Sequence, residues 1–226
     1  MSGSAPAPTR FVLIRHGEAS GNRELRYLGS TDAPLTERGQ AQVRQLADAL
    51  GRYGPVAVYT SPLLRARQTA EAAAAVLGLP VLVEERLREA DFGAWENRTR
   101  AEVLAEDAER LAAWEAGEAG ETVAPPGGES LTMVRERMVA CADTLAARHR
   151  GATVLLASHV GPIKALVCAA LDLPAAGARR MWLDPASVCV VDWRLATADA
   201  RSSGVLRVYN ATAHLDPPPR WLELPA

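Results

Sequence analysis

Six short, almost wholly apolar runs punctuate the chain, at residues 11–14, 56–59, 81–83, 153–156, 188–191 and 205–208. Runs of this length without polar alternation are the pattern of strands covered on both faces. Between them lie stretches with helical start and stop signals. Thr36 caps a helix running to about Leu50, with Gly51 as its stop. Ser61-Pro62 reads as an N-cap followed by proline at the first helical position, and Gly78 ends that helix. Further helices are predicted from Thr99 to about Ala116, from Ser130 to about His149, and from Gly161-Pro162 to near Leu171. In the first of these, Leu104, Leu111 and Trp114 form the inner face. Strands alternating with helices predict an α/β fold, a three-layer α/β/α sandwich around a largely parallel central sheet. The expected plan is a flexible leader over 1–10, a single domain over 11–214 and an irregular tail over 215–226.

Composition narrows the function. The 226 residues are 48% hydrophobic and 23% charged, enough apolar content for a buried core. The net charge of −2 argues against a general nucleic-acid binder, which would be strongly basic. Lys164 is the only lysine, so the cations that grip anions here are arginines, which do so bidentately. Cys141, Cys168 and Cys189 lie far apart with neither metal-ligand spacing nor a disulfide pattern. The N-terminal residues lack the apolar core of a signal peptide, and no run approaches the roughly 18 residues of a membrane span. A reducing cytoplasm is the expected location, and an exposed edge strand would allow a homodimer.

The candidate chemistry sits where strands give way to helices. In open α/β sheets ligands bind at the carboxyl ends of strands. The first run leads into Arg15-His16-Gly17-Glu18, and the fourth into Ser158-His159-Val160-Gly161. The second leads into a helix with Arg65 in its first turn, a place the helix dipole reserves for anions, so that an external anion is implied. The stretch Leu87-Arg88-Glu89-Ala90-Asp91-Phe92-Gly93-Ala94-Trp95-Glu96 sets acids against an aromatic wall, which raises a carboxyl pKa and keeps a proton to donate. Taken singly, each piece also fits a capped turn or a solvated surface. Together, two histidines, two arginines and an acid at the corners of one sheet point to a phosphate site without metal ligands.

These residues resemble the histidine phosphatase superfamily, in its phosphoglycerate mutase-like branch. The resemblance covers about 11–214 and rests on five motifs in order: Arg15 through Glu18 with Asn22, Gly29 through Thr36, Ser61 through Thr69, Leu87 through Trp95, and Ser158-His159. It implies His16 as the phosphorylated nucleophile, Glu89 as general acid and then base, and His159 as the second catalytic histidine. Arg15, Arg65, Asn22 and the backbone N–H of Val160 would hold the phosphoryl group. The family usually has glycine at position 160, and Ala19, Asn97, Pro162 and Lys164 are further departures that touch substrate identity. Residues 125–130 and 158–164 are similar to actinobacterial acid phosphatase domains and α-ribazole phosphatase-like members. The implied reaction is cofactor-free hydrolysis of a small-molecule phosphomonoester. Arg23, Tyr27 and Ser130 are substrate-binding candidates, with Arg26, Trp95, Trp114 and Lys164 also placed to line the entrance. Mutase-type phosphoryl transfer would call for extra arginines between the acid and the second histidine, where Arg98 and Arg100 are the nearest. A non-catalytic phospholigand-binding protein is the third reading.

Overall fold

The computed structural model describes residues 7–197 and 200–218. Its strands are β1 (Thr9–Arg15), β2 (Ala57–Thr60), β3 (Val81–Val83), β4 (Thr153–Ser158), β5 (Val188–Arg194) and β6 (Ser203–Ala211). Its helices are α1 (Glu37–Leu50), α2 (Leu64–Leu77), α3 (Arg100–Glu106), α4 (Ala108–Glu115), α5 (Leu131–Arg148) and α6 (Val160–Ala170). All six apolar runs become strands of one sheet, in the order β3-β2-β4-β1-β5-β6. Neighbours run parallel from β3 to β1, while β5 is antiparallel to both β1 and β6. β3 ends the sheet at one edge, with Leu82 and Val83 exposed.

Period-two alternation in β1 explains the layers. Phe11 and Leu13 face one cluster with Val134, Met138 and Leu166 of α5 and α6; Val12 and Ile14 face another with Leu46, Leu50 and Ala73 of α1 and α2. All four β1 residues are fully buried. Each such side chain contributes roughly 1.5–3 kcal/mol, against about 0.2–1 kcal/mol for a half-exposed ion pair such as Arg10–Asp192. Burial, and not charge, therefore seats β1. Thr9 and Arg10, expected in the leader, belong to this strand; residues 1–6 and 219–226 of the expected leader and tail lie outside the described residues.

Two local expectations need correction. α2 begins at Leu64 and not at Pro62: the Ser61 hydroxyl accepts from Leu63 N at 3.3 Å and meets His159 Nε2, while the Leu64 N–H donates to Asp32 Oδ1 at 2.6 Å. The stretch 99–116 is two helices. Asp107, at φ −140°, ends α3 and accepts a hydrogen bond from Trp95 Nε1 at 3.1 Å. The break turns Leu104 outward, 45% exposed, while Leu111 stays buried. α1 ends at Leu50 with Gly51 as its C-cap, as expected, though Gly51 is right-handed and the left-handed turn comes only at Gly54, φ 58°.

Candidate active site

Parallel pairing of β1 with β4 sets Arg15 opposite Ser158, so the next residues emerge level with each other. His16 N donates to Ser158 O at 3.1 Å, and the His16 and His159 rings stand with centroids 5.0 Å apart. His16 Nδ1 lies 2.7 Å from Gly17 O. A carbonyl only accepts, so the proton sits on Nδ1 and the Nε2 lone pair is left for chemistry. His159 Nε2 meets Ser61 Oγ at 2.7 Å, while its buried Nδ1 has no partner among the described residues. The loop is held down by α1, which approaches so closely that a Cβ on Gly39 would collide with the Glu18 carbonyl. Burial, reinforced by Arg65 and Arg15, holds the His16 pKa well below the usual histidine range; burial and Arg65 do the same for His159.

Arg65 leaves the first turn of α2 and is buried. Its guanidinium donates to the carbonyls of Thr31 at 2.7 Å, Leu28 at 2.8 Å and Gly29 at 2.9 Å. That loop is shaped from its other side by Glu96, whose carboxylate accepts from the N–H groups of Gly29, Ser30 and Thr31. Arg15 Nη1 donates to Leu183 O at 2.5 Å. Burial lowers its pKa to about 10, so it remains a cation at neutral pH. Among the described residues neither Arg15 nor Arg65 forms an ion pair, and the Nε of each is buried without a partner. Buried charge is stable only when met by an opposite charge.

Glu89 faces these cations across the site. Its carboxylate accepts from Ala90 N at 2.8 Å and from Gly161 N, in the first turn of α6, at 3.1 Å. Burial raises its pKa, opposed by the Ala90 hydrogen bond and by Arg65 and Arg15. Arg137 of α5 clamps the Glu89 segment, donating to the carbonyls of Arg86, Arg88 and Glu89 while paired with Glu129 at 2.9 Å.

One cleft of about 260 Å³ is lined by Arg15, His16, Asn22, Arg65, Glu89 and Val160 together with Leu25, Arg26, Tyr27, Leu28 and Phe92. His159 is fully buried, its ring 5.0 Å from that of His16. Asn22 lines the cleft and accepts from Ala19 N at 2.9 Å. Tyr27 lines it as expected. Two substrate-binding candidates do not. Arg23 turns away to Glu18 at 3.2 Å, drawn by a carboxylate five residues before it. Ser130 is buried as the N-cap of α5, its Oγ accepting from Met133 N at 3.2 Å. Ser130→Ala is therefore expected to lower stability by about 1 kcal/mol and to leave kcat/KM within about twofold of wild type, since one tenfold step would need ~1.4 kcal/mol; denaturant titration beside steady-state kinetics checks both. Trp95 and Trp114 pack behind Tyr27, and Lys164 lies outside the lining. Arg98 and Arg100 are surface partners of Glu106 and Glu115, so neither is the extra cleft arginine a mutase would call for. Sequence reading missed Ser61, Glu96 and Arg137 because each acts through a partner far away in the chain. Leu25 and Leu28 it missed because an isolated leucine in a loop carries no signal.

A buried histidine with a lowered pKa, two arginines without an ion-pair partner and a carboxyl whose pKa burial raises gather at the end of a mostly parallel sheet, an α/β site suited to a small anion. Residues 11–204 match the histidine phosphatase superfamily (branch 1), and the chain belongs to that superfamily. It is 40% identical over 215 residues to a bifunctional protein of Mycobacterium tuberculosis; the match takes in 95% of this chain but only 57% of the relative. It is 33% identical to phosphoserine phosphatase 1 of Hydrogenobacter thermophilus, over 91% of this chain and 94% of that protein. The solved structure of a mycobacterial glucosyl-3-phosphoglycerate phosphatase superposes with a TM-score of 0.79 at 33% identity, covering 89% of this chain and 99% of that one. Among the described residues no helix is long and apolar enough to cross a membrane.

Proposed function

We propose that this protein is a metal-independent phosphatase that hydrolyses small phosphomonoesters through a phosphohistidine on His16. The observation that carries the reading is the pair of arginines without an ion-pair partner, Arg65 buried and Arg15 half-buried with its Nε enclosed, beside a His16 whose pKa is held well below the usual range. A phosphoryl group supplies the missing counter-charge. His16 Nε2 attacks phosphorus and the ester P–O bond breaks. Glu89 gives its proton to the departing oxygen. A water then attacks the phosphorus of phosphohistidine, Glu89 takes the proton back, the P–N bond breaks and inorganic phosphate leaves. Arg15, Arg65, the unpartnered His159 Nδ1, Asn22 and the Val160 N–H at the start of α6 are assigned to the phosphoryl oxygens, whose charge such transfer must stabilise. Three buried, unpaired cysteines support action in a reducing cytoplasm.

The pKa directions support the same pairing. Free histidine titrates near pH ~6.5 and a free carboxyl near ~4.3, so the needed state, neutral His with protonated Glu, is a minority in water. Here the histidine is pushed down and the carboxyl up, which widens that state. Hydrolysis of p-nitrophenyl phosphate in EDTA, followed from about pH 4 to about pH 9, is expected to give a bell with its maximum on the mildly acidic side. Activity lost to the chelator, or a rate rising steadily above neutrality, overturns the reading.

A further inference from the structure

Beyond the groups set aside for the phosphoryl group, the cleft is lined by Leu25, Arg26, Tyr27, Leu28 and Phe92, a surface with almost no charge that a substrate could use. The one cation there, Arg26, is already committed: its Nη1 donates to Asn97 O at 2.7 Å and to Glu102 at 3.3 Å. Arg15 and Arg65 belong to the phosphoryl group.

The wall is also rigid. The Tyr27 ring lies 4.9 Å from that of Phe92 and 6.0 Å from those of Trp95 and Trp114. Trp95 and Trp114 meet edge to face at 5.7 Å, and the Arg179 guanidinium covers Trp114 at 4.6 Å. α3 and α4 complete the support, through Val103 and Leu111 packed on Trp95. Such stacking fixes the rings before any ligand arrives, so little order is lost on binding. At the mouth Leu25 is 71% exposed and held at φ 51°, a left-handed conformation costly for a branched residue. Backbone strain of this kind concentrates at ligand clamps.

We propose that the leaving group accepted here is an uncharged ring, so that the substrate is a phosphomonoester of an apolar, ring-bearing alcohol and not of a carboxylate-bearing one. The inference rests on the phosphatase reading. Tyr27 and Phe92 offer a ring faces and edges to pack on. A carboxylate set against the same wall would lose its water and find no partner. The cleft volume holds a phosphate with one ring, not a polymer.

The test compares benzyl phosphate with phosphoserine and 3-phosphoglycerate, all alkyl esters, so that leaving-group chemistry does not dominate. Benzyl phosphate is expected to exceed both in kcat/KM by about 100-fold, a difference of ~2.7 kcal/mol. Tyr27→Ala is expected to lower kcat/KM for benzyl phosphate about tenfold more than for glycerol phosphate, mostly through KM; Tyr27→Phe is expected to restore it. Calorimetric titration of the wild-type protein with benzylphosphonate and 3-phosphonopropionate gives a readout that needs no turnover. Tighter binding of benzylphosphonate by about tenfold or more is the expected result. Preference for the ring without any hydrolysis supports the wall and removes the phosphatase reading. Hydrolysis with equal or better use of the carboxylate esters overturns the wall and leaves the phosphatase reading standing.

Discussion

Replacing His16 by alanine is expected to lower kcat for p-nitrophenyl phosphate by roughly 10⁵–10⁶, the scale seen when a covalent nucleophile is removed from a working constellation. Nothing nearby replaces it. His159 is the neighbouring ring, but its Nε2 is held by Ser61 and it is fully buried. Intact mass after rapid quenching should show one added phosphoryl group on the wild type and none on His16→Ala. The variant should fold. His16 makes one side-chain hydrogen bond, to Gly17 O, and its burial in neutral form works against stability in acid. The sign follows from its pKa direction. A histidine whose folded pKa is lowered takes up its proton only in the unfolded chain, so its penalty is absent above the unfolded value near ~6.5 and grows as pH falls below it. His16→Ala should therefore match wild type in Tm near neutrality and gain on it in acid. Wild-type-like turnover, or phosphate on another residue, would falsify the assignment of His16.

Glu89→Gln is expected to reduce kcat by about 10²–10⁴, the usual contribution of a placed proton donor. The loss should depend on the ester. p-Nitrophenolate leaves without help, so its hydrolysis should fall toward the lower figure, whereas an alkyl phosphate, whose oxygen must be protonated, should fall toward the upper one. The acid limb of the pH profile belongs to His16 and should survive, while the alkaline limb set by Glu89 should disappear. Stability should move the opposite way. The Glu89 pKa is raised in the folded state, chiefly by burial. Its neutral form is favourable below the unfolded value near ~4.3, and that contribution is lost as pH rises through the folded pKa. The glutamine variant should thus equal wild type in strong acid and melt higher above neutrality. Loss of activity without this crossing pattern in Tm would mean that the residue is structural.

Much of this was legible in the chain. Four of the apolar runs became strands buried on both faces, where a segment has little freedom to be anything else; the runs at 81–83 and 205–208 became the two edge strands, with exposed positions the run pattern did not announce. Arg65 declared itself by standing where a helix start repels cations, and Glu89 by its aromatic neighbours. Ser130 and Arg23 misled for a common reason: a serine that caps and a serine that binds look alike, as do an arginine that pairs with a carboxylate and one that meets a substrate. The break at Asp107 was invisible because it depends on Trp95, twelve residues earlier, offering its indole N–H.

By itself, then, the sequence determined the strand set, the strand-to-helix corners and the kinds of groups placed at them, because local periodicity and capping chemistry are short-range. The tertiary structure alone decided what those groups became. Parallel register of β1 against β4 put His16 beside His159. The carbonyls of 28–31 locked Arg65, and Arg137 locked the Glu89 segment. Low-dielectric burial then drew the two key pKa values toward each other. Register, long-range hydrogen bonds and desolvation all depend on residues far apart in the chain, so they exist only once it has folded.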